Sequence, residues 1–401
     1  MQRMSRQTLR YVLGSIALVS GLGLLANGLP AAASMSTVPT ITWSNHVQTS
    51  PSGIDWASVA YGNGHFVAVG STSTAGVVAT SSDGQNWTTT SQGTVRWAVV
   101  TYGNGRFVAI GAGISSGTSE AMTLADGSNT WVTGQLSSTS TGWSSLIWAG
   151  SQFVAADYSA DIYTSPDGTT WTFAATIPGA NLGSLLAQGS TIYGFGSIAA
   201  SPAEWTSTNG GSVWSPPATA PIYGYGAAAG NGTAVIVANP PSGSDTTSPV
   251  VATSSDGTTW TPQTGGEGID WNQVSYGDGL FVAEADHYGA YSSPVVMVST
   301  DGVSWTLEPG ANDLTNGRWS AIAPGIIVTV GDAGQIETGT YSGQDTPTTA
   351  PTTTTLQPTV TTAGSLASTG LNFWAAFWVG LAAIAMGSAT LLISRRPRRR
   401  C

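Results

Sequence analysis

Short apolar runs recur through the middle of the chain, separated by turns of Gly, Asn and Asp. The runs at 56–61 and 65–69 flank Gly62-Asn63-Gly64. Asn and Gly tolerate the positive φ of a tight hairpin, so the pair predicts two antiparallel strands. Two more runs, at 76–81 and 86–90, flank Asp83-Gly84. This block of short strands then repeats. Residues 97–111 match 56–70 closely, and 271–283 carry the same Trp, Tyr-Gly and Phe-Val-Ala pattern. A degraded copy occupies 143–155, worn copies occupy 182–196 and 223–237, and a truncated one starts at Trp319. Downstream in each full copy comes an Asp-Gly or Asn-Gly turn followed by Trp. The pairs are Asp83 with Trp87, Asp126 with Trp131, Asp167 with Trp171, Asn209 with Trp214, Asp256 with Trp260 and Asp301 with Trp305. Four strands in a period of about 40 to 50 residues define a β-propeller blade. The predicted fold is all-β, a seven-bladed β-propeller over residues 40–342.

The seventh copy reads through 331–336 and stops without its Trp, while Ile41-Thr42-Trp43-Ser44 stands upstream of the first copy as a strand without a blade. Placed beside the last copy, that N-terminal strand completes the seventh blade and removes the free edges a sheet must otherwise protect. The repeated turn and Trp resemble those of the Asp-box propellers, a group that includes sialidases, sortilin-like receptors and photosystem assembly factors. The resemblance covers roughly Thr40 to Tyr341. The usual box reads Ser-x-Asp-x-Gly-x-Thr-Trp; here Gly follows Asp directly. The resemblance implies structural boxes, whose Asp caps hairpin N–H groups and whose Trp packs between blades. Calcium or sugar binding by the boxes is the alternative.

The two ends of the chain address its location. Arg3, Arg6 and Arg10, an apolar stretch and Ala31-Ala32-Ala33 follow the order of a secretory signal peptide, expected over 1–34. At the other end, Leu366-Ala367-Ser368-Thr369-Gly370 precedes an uncharged apolar run at 371–393 and an Arg-rich tail within 394–401. This order is similar to a sortase sorting signal, with Ala367 where Pro is usual. The resemblance implies cleavage between Thr369 and Gly370 and attachment of Thr369 to peptidoglycan, with sortase and peptidoglycan as partners. The apolar run can span a bilayer as a transmembrane helix at about 1.5 Å per residue, and the arginines would stay cytoplasmic. An uncut membrane anchor is the alternative. The Thr/Pro-rich stretch at 343–365 cannot bury a core and reads as an extended spacer.

Charge narrows the partners. The chain has 401 residues, 8% charged, and no Lys; its 11 basic residues are all Arg. Outside the signal peptide and tail only Arg96, Arg106 and Arg318 remain, against all 21 acids, a formal −18. Phosphate binding needs a basic footprint, so nucleic acid is excluded as a partner and anionic lipid is disfavoured. Scarce charge and missing Lys suit an acidic habitat. The one Cys, Cys401, sits in the tail, so no disulfide framework holds the outer domain.

The first-to-second and third-to-fourth strand turns share one face and are monotonous. The second-to-third loops and blade-to-blade links share the other, variable face, where a ligand site is expected. Two copies depart from the Val-Gly ending there: the third with Asp157, Tyr158 and Asp161, the sixth with Glu284, Asp286, His287 and Tyr288. Paired carboxylates beside His and Tyr can serve acid–base chemistry or hold a cation; a polar loop surface is the plain alternative. Trp148 and Trp205 fall outside the repeat's Trp positions and are either sugar-stacking platforms or extra core aromatics. Sialidases hold their substrate with three arginines and a Tyr–Glu pair; here Arg96 and Arg318 look like paired repeat features and Arg106 lies in a hairpin turn. No cofactor or metal is expected, since His46, His65 and His287 have no zinc-site spacing. The expected function is binding of an extracellular glycan or protein by a wall-anchored propeller. A glycan hydrolase or lyase using Asp157, Asp161, Glu284 and Asp286, or a passive coat protein, are the alternatives.

Overall fold

The computed structural model describes residues 37–47, 51–115, 117–140, 142–240, 247–289, 296–308 and 319–342. The expected leader, spacer, sorting motif and membrane span lie outside the described residues, as do Arg318 and the side chains of Asp286, His287 and Tyr288. The described residues contain no helix. Their 28 strands form seven four-stranded antiparallel sheets, one per blade. Blade 1 runs Asp55–Gly62, His65–Ser71, Gly76–Ser81 and Thr88–Ser91 in order. Blades 2 to 6 begin at Val95, Trp143, Ala180, Gly226 and Ile269. Blade 7 is composite. Trp319–Ala323, Ile326–Val330 and Gln335–Thr340 come from the end of the domain, and Thr42–Val47 from its start forms the outer strand. Trp43 lies opposite Gly339 and His46 opposite Ile336, so the ring is closed by backbone pairing of its two ends.

The apolar runs form strands because one blade's face packs on the next. Val99 and Ile110 of blade 2 join Leu146, Phe153 and Tyr163 of blade 3 in one buried cluster, and comparable clusters join the other blades. The repeat's Tyr-Gly pair is a joint between neighbours. A side chain on Gly62 would collide with the Tyr102 ring of blade 2, and one on Gly230 with Tyr276 of blade 6. Trp148 occupies this Tyr position in blade 3: its ring covers Gly103 of blade 2 and lies 4.8 Å from Phe153. Trp148 therefore belongs to blade packing beside the monotonous turns, away from the variable face. Trp205 is 1% exposed, within the cluster that joins blades 3 and 4.

The Asp-Gly turns carry a hydrogen-bond system that starts two residues earlier than the Asp. In blade 3, Ser165 Oγ donates to Asp167 Oδ1 (3.1 Å) and accepts the Gly168 N–H (2.7 Å), while Asp167 Oδ1 accepts the N–H groups of Thr169 and Thr170. The Trp171 indole N–H closes the turn on the Gly168 carbonyl (2.9 Å). Blades 1, 5 and 6 repeat the Ser–Asp–Gly arrangement through Asp83, Asp256 and Asp301, and Asn209 accepts the Val213 N–H in blade 4. Trp87 and Trp305 also donate to their turn Gly carbonyls, but Trp260 instead reaches Glu204 of blade 4 (2.9 Å). Asp126 departs as well. Leu124 stands where the other turns have Ser, and the Asp126 carboxylate accepts the Tyr102 hydroxyl (2.7 Å), which pushes the Tyr102 pKa up to about 12. Trp131 keeps its packing role beside blades 1 and 2.

Ser165 is fully buried, so Ser165→Ala leaves the Gly168 N–H without its acceptor. The expected loss is about 1–3 kcal/mol of unfolding free energy, read by urea denaturation. A loss no larger than that of an exposed Ser→Ala change elsewhere would show that the turn does not depend on this hydroxyl.

Candidate functional site

The first strand of each blade lines the central channel, and a recurrent irregularity decides which side chains reach it. The pairing of first and second strands slips one residue after the inner Trp or Leu in blades 1, 2, 3, 4 and 6. The skipped residues are Ala57, Ala98, Ser144, Gly183 and Asn272. Each is a β-bulge, which turns an unpaired residue out of the ladder. All five line a cavity of about 590 Å³ at the channel mouth, completed by Tyr225 of blade 5 and Trp319 of blade 7. The repeat's Val-Gly ending now has a cause. The bulge brings the first strand so close that a side chain on Gly70 or Gly111 would meet the Asp55 or Arg96 carbonyl at 2.3 and 2.2 Å. The residues after the bulge, Ser58 and Ser145, accept the Val100 and Leu185 N–H groups of the next blade (3.2 and 3.1 Å), fixing the mouth blade to blade.

Blade 3 breaks this rule, and there the mouth opens sideways. Asp157 stands opposite Trp143 in place of the Gly. Its Oδ1 accepts the Asp161 N–H (2.9 Å), and its carbonyl accepts the Ala160 N–H (3.0 Å), making a tight turn with Ala160 at φ +62°. Tyr158, at the tip of this turn, is 55% exposed. An open groove of about 1220 Å³ runs outward from it between blades 2 and 3. Blade 2's third and fourth strands (Ser119–Ala125 and Val132–Gln135) and the link at 136–140 form one wall; Asp157, Tyr158, Asp161 and Tyr163 form the other. Gly142 and Tyr158 line both groove and channel mouth, so the two are continuous.

The sequence-selected residues are thus divided. Asp157 and Asp161 share the groove, where Asp161 Oδ1 accepts the Thr176 hydroxyl. Glu284 is elsewhere. It lies opposite Gln273, is 1% exposed, and neither carboxylate oxygen has a hydrogen-bond partner. Burial pushes its pKa up to about 8. Trp148 and Trp205 face neighbouring blades, as above. Arg96 is exposed at the mouth, while Arg106 opens blade 2's second strand just past the hairpin turn and donates to the Asp167 carbonyl of blade 3 (2.9 Å). Among the described residues no three His, Cys, Asp or Glu side chains converge as a metal-binding group. Sequence reading missed the bulge residues and the 136–140 wall. No residue type marks the bulges, since the skipped positions hold Ala, Ser, Gly and Asn.

No protein-family model matches the chain, and no curated protein matches it. Solved structures do. YCF48 bound to D1 peptide is similar over 78% of this chain and 99% of that one, at 13% identity and a TM-score of 0.55. The virginiamycin B lyase of Staphylococcus aureus is similar over 75% and 99%, at 10% identity and a TM-score of 0.56. The GH74 xyloglucanase of Xanthomonas campestris is similar over 74% of this chain and 53% of its own, at 13% identity and a TM-score of 0.53. At such identities the likeness is one of fold: an all-β seven-bladed propeller whose distant neighbours include a lyase, a glycoside hydrolase and a peptide-bound propeller.

Proposed function

We propose that this is an exported surface protein, anchored through Thr369 to the cell wall, whose propeller binds an extracellular glycan or protein on the variable face. The observation that carries the binding role is the channel mouth. All seven blades contribute to it, five of them through a bulge residue, and bulges serve to re-aim side chains beside functional sites. Burial weighs against the hydrolase alternative. Glu284 is sealed from substrate, and Asp157 is 3% exposed with one oxygen committed to the Asp161 N–H. An acid–base pair must reach the scissile bond. The export half of the proposal rests on the signal-peptide order at 1–34 and the sorting order at 366–401.

Two measurements test it. Full-length protein carrying Ala57→Trp and Asn272→Trp fills the mouth without removing a paired strand residue; binding to cell-surface extract should fall at least tenfold. Unchanged binding with an unchanged circular dichroism spectrum overturns the mouth as the site. For anchoring, Thr369→Ala should move the protein out of the fraction released from cell walls by muramidase and into the membrane or medium. Equal amounts in the wall fraction for both proteins would rule out sorting at this motif.

A further inference from the structure

We propose that the variable face takes an uncharged polysaccharide chain, laid from the blade 2–3 groove across Tyr158 into the channel mouth. This rests on the binding reading above and names the class of ligand. Three features of the cleft carry it.

The first is its form. The groove and mouth are open and continuous through Gly142 and Tyr158, and the groove alone exceeds the roughly 300–1,000 Å³ of a small-molecule pocket. A channel that runs off the domain edge suits a polymer that enters and leaves.

The second is the junction. Tyr158 is a large exposed ring carried on a backbone anchored at both sides. Its backbone N–H donates to the Gly142 carbonyl (3.2 Å), and its own carbonyl accepts the Leu182 N–H (3.2 Å). The ring lies over Gly142, where an added side chain would come within 2.9 Å of it. Tyr158 also borders a third hollow, shared with Tyr223 and Tyr225, and Tyr225 is 44% exposed. An exposed Tyr gives large contact area at small entropic cost, and its π-surface is apolar with a polar tip. That is the complement of a pyranose ring, which has an apolar C–H face and a hydroxyl rim.

The third is the lining. The groove walls are dense in hydroxyls, from Thr118, Ser119, Ser137, Thr139 and Ser140, and its ionisable groups apart from the tyrosines are the carboxylates Glu120, Asp157 and Asp161. Hydroxyls and carboxylates match sugar hydroxyls as acceptors and donors. Among the described residues no cation lines the groove, so its carboxylates repel a polyanion; the exposed Arg96 lies at the mouth, where Asp55 also lines the cavity. A peptide in an extended groove draws specificity from pockets for alternate side chains, whereas the walls here present small polar groups.

The test uses the full-length protein in detergent, titrated with cellohexaose, xylohexaose and maltohexaose as neutral probes, polygalacturonate as an anionic probe, and a random peptide library. At least one neutral hexasaccharide should bind, with affinity unchanged between 0.05 and 0.5 M NaCl, and polygalacturonate should not. Tyr158→Ala should weaken that binding at least tenfold, and Tyr158→Phe by less than threefold, because stacking survives loss of the hydroxyl. Gly142→Val, which pushes the ring off its seat, should act like Tyr158→Ala. Failure of all three neutral probes at 10 mM, a salt-sensitive preference for polygalacturonate, or a Tyr158→Ala affinity equal to wild type would each overturn the inference. If peptides bind and the Ala57→Trp, Asn272→Trp protein loses them, the binding role stands and the polysaccharide falls. If that variant binds every probe as wild type does, the binding face itself has been misplaced.

Discussion

Removing residues 37–47 should lower the melting temperature of the propeller by at least about 10 °C and make it aggregate. These residues supply a whole strand. Six pairings join Thr42–Val47 to Gln335–Thr340, each ladder hydrogen bond being worth about 0.5–1.5 kcal/mol net. Val38, Ile41 and Trp43 also pack on a buried cluster containing Leu280, Val282, Ile322, Ile327 and Tyr341, which adds burial of about 1 kcal/mol or more for each large side chain. The Trp43 indole N–H further reaches Glu308 of blade 6 (3.5 Å), so the strand ties two blades. These terms sum to at least about 6 kcal/mol, a large share of the roughly 5–15 kcal/mol that stabilises a folded domain. The same deletion uncovers the edge at 335–340, which a second chain can then pair with. Differential scanning calorimetry and light scattering on the truncated protein read both effects. A synthetic peptide of residues 37–47 added in trans should restore much of the lost stability, because it replaces the missing strand by β-augmentation. A melting temperature within about 3 °C of the parent would mean that the ring holds without its closure. Gly339→Val is the milder counterpart: a Cβ there falls 2.8 Å from Ile41 and 3.1 Å from Trp43, so the outer strand must shift.

That closure was legible in sequence because the repeat leaves a remainder at each end, and the two remainders add to one blade. Periodicity likewise disclosed the blade number, since a turn of Asp or Asn with Gly followed by Trp recurs every 40 to 50 residues even in copies four and five, which have lost the inner Trp. The site was less legible for physical reasons. A bulge is a one-residue slip in register, and residues such as Ala57 and Asn272 carry no chemical mark of it. The groove depends on the path of the 136–140 link, and Ser–Thr links have no periodicity to read. Trp148 falls outside the repeat's tryptophans because it takes the place of the tyrosines Tyr61, Tyr102 and Tyr276. The departures at Asp157 and Glu284 were visible as breaks in the repeat, but their outcomes differ. Asp157 builds the turn that presents Tyr158, whereas Glu284 points into a blade-to-blade contact and is closed off.

Glu284 leads to a second large effect: the propeller should be more stable at pH 5 than at pH 8. Burial raises its pKa from 4.5 to about 8. The nearby Ser320 hydroxyl opposes this, but its hydrogen bond goes to Thr329 (2.7 Å) and not to the carboxylate. Between those values the folded chain keeps the proton that the unfolded chain gives up, so rising pH favours unfolding. The stabilisation is complete below about pH 4.5 and is lost as pH climbs through about 8. At 1.36 kcal/mol per unit, the loss from this group approaches about 4 kcal/mol. Glu204 acts in the same direction, raised to about 7 by burial despite the Trp260 N–H it accepts, and burial raises Glu308 too. The turn aspartates oppose them only in strong acid. Backbone N–H donors depress Asp167 to about 2 and lower Asp83, Asp256 and Asp301 as well. Their contribution is present above the ordinary carboxylate range and fades as pH falls through the depressed values. The stability maximum should therefore lie near pH 4–5, in keeping with a chain poor in charge and lacking Lys. Net negative charge also disfavours the compact state as pH rises, so the variant Glu284→Gln is the discriminating control. It keeps the shape and cannot ionise. In urea denaturation from pH 5 to pH 9 it should lose about 4 kcal/mol less than the parent, with the gap opening from about pH 5 and levelling off above about pH 8. Parallel profiles for the two proteins would show that Glu284 does not carry the pH dependence, and a parent more stable at pH 8 than at pH 5 would reverse its sign.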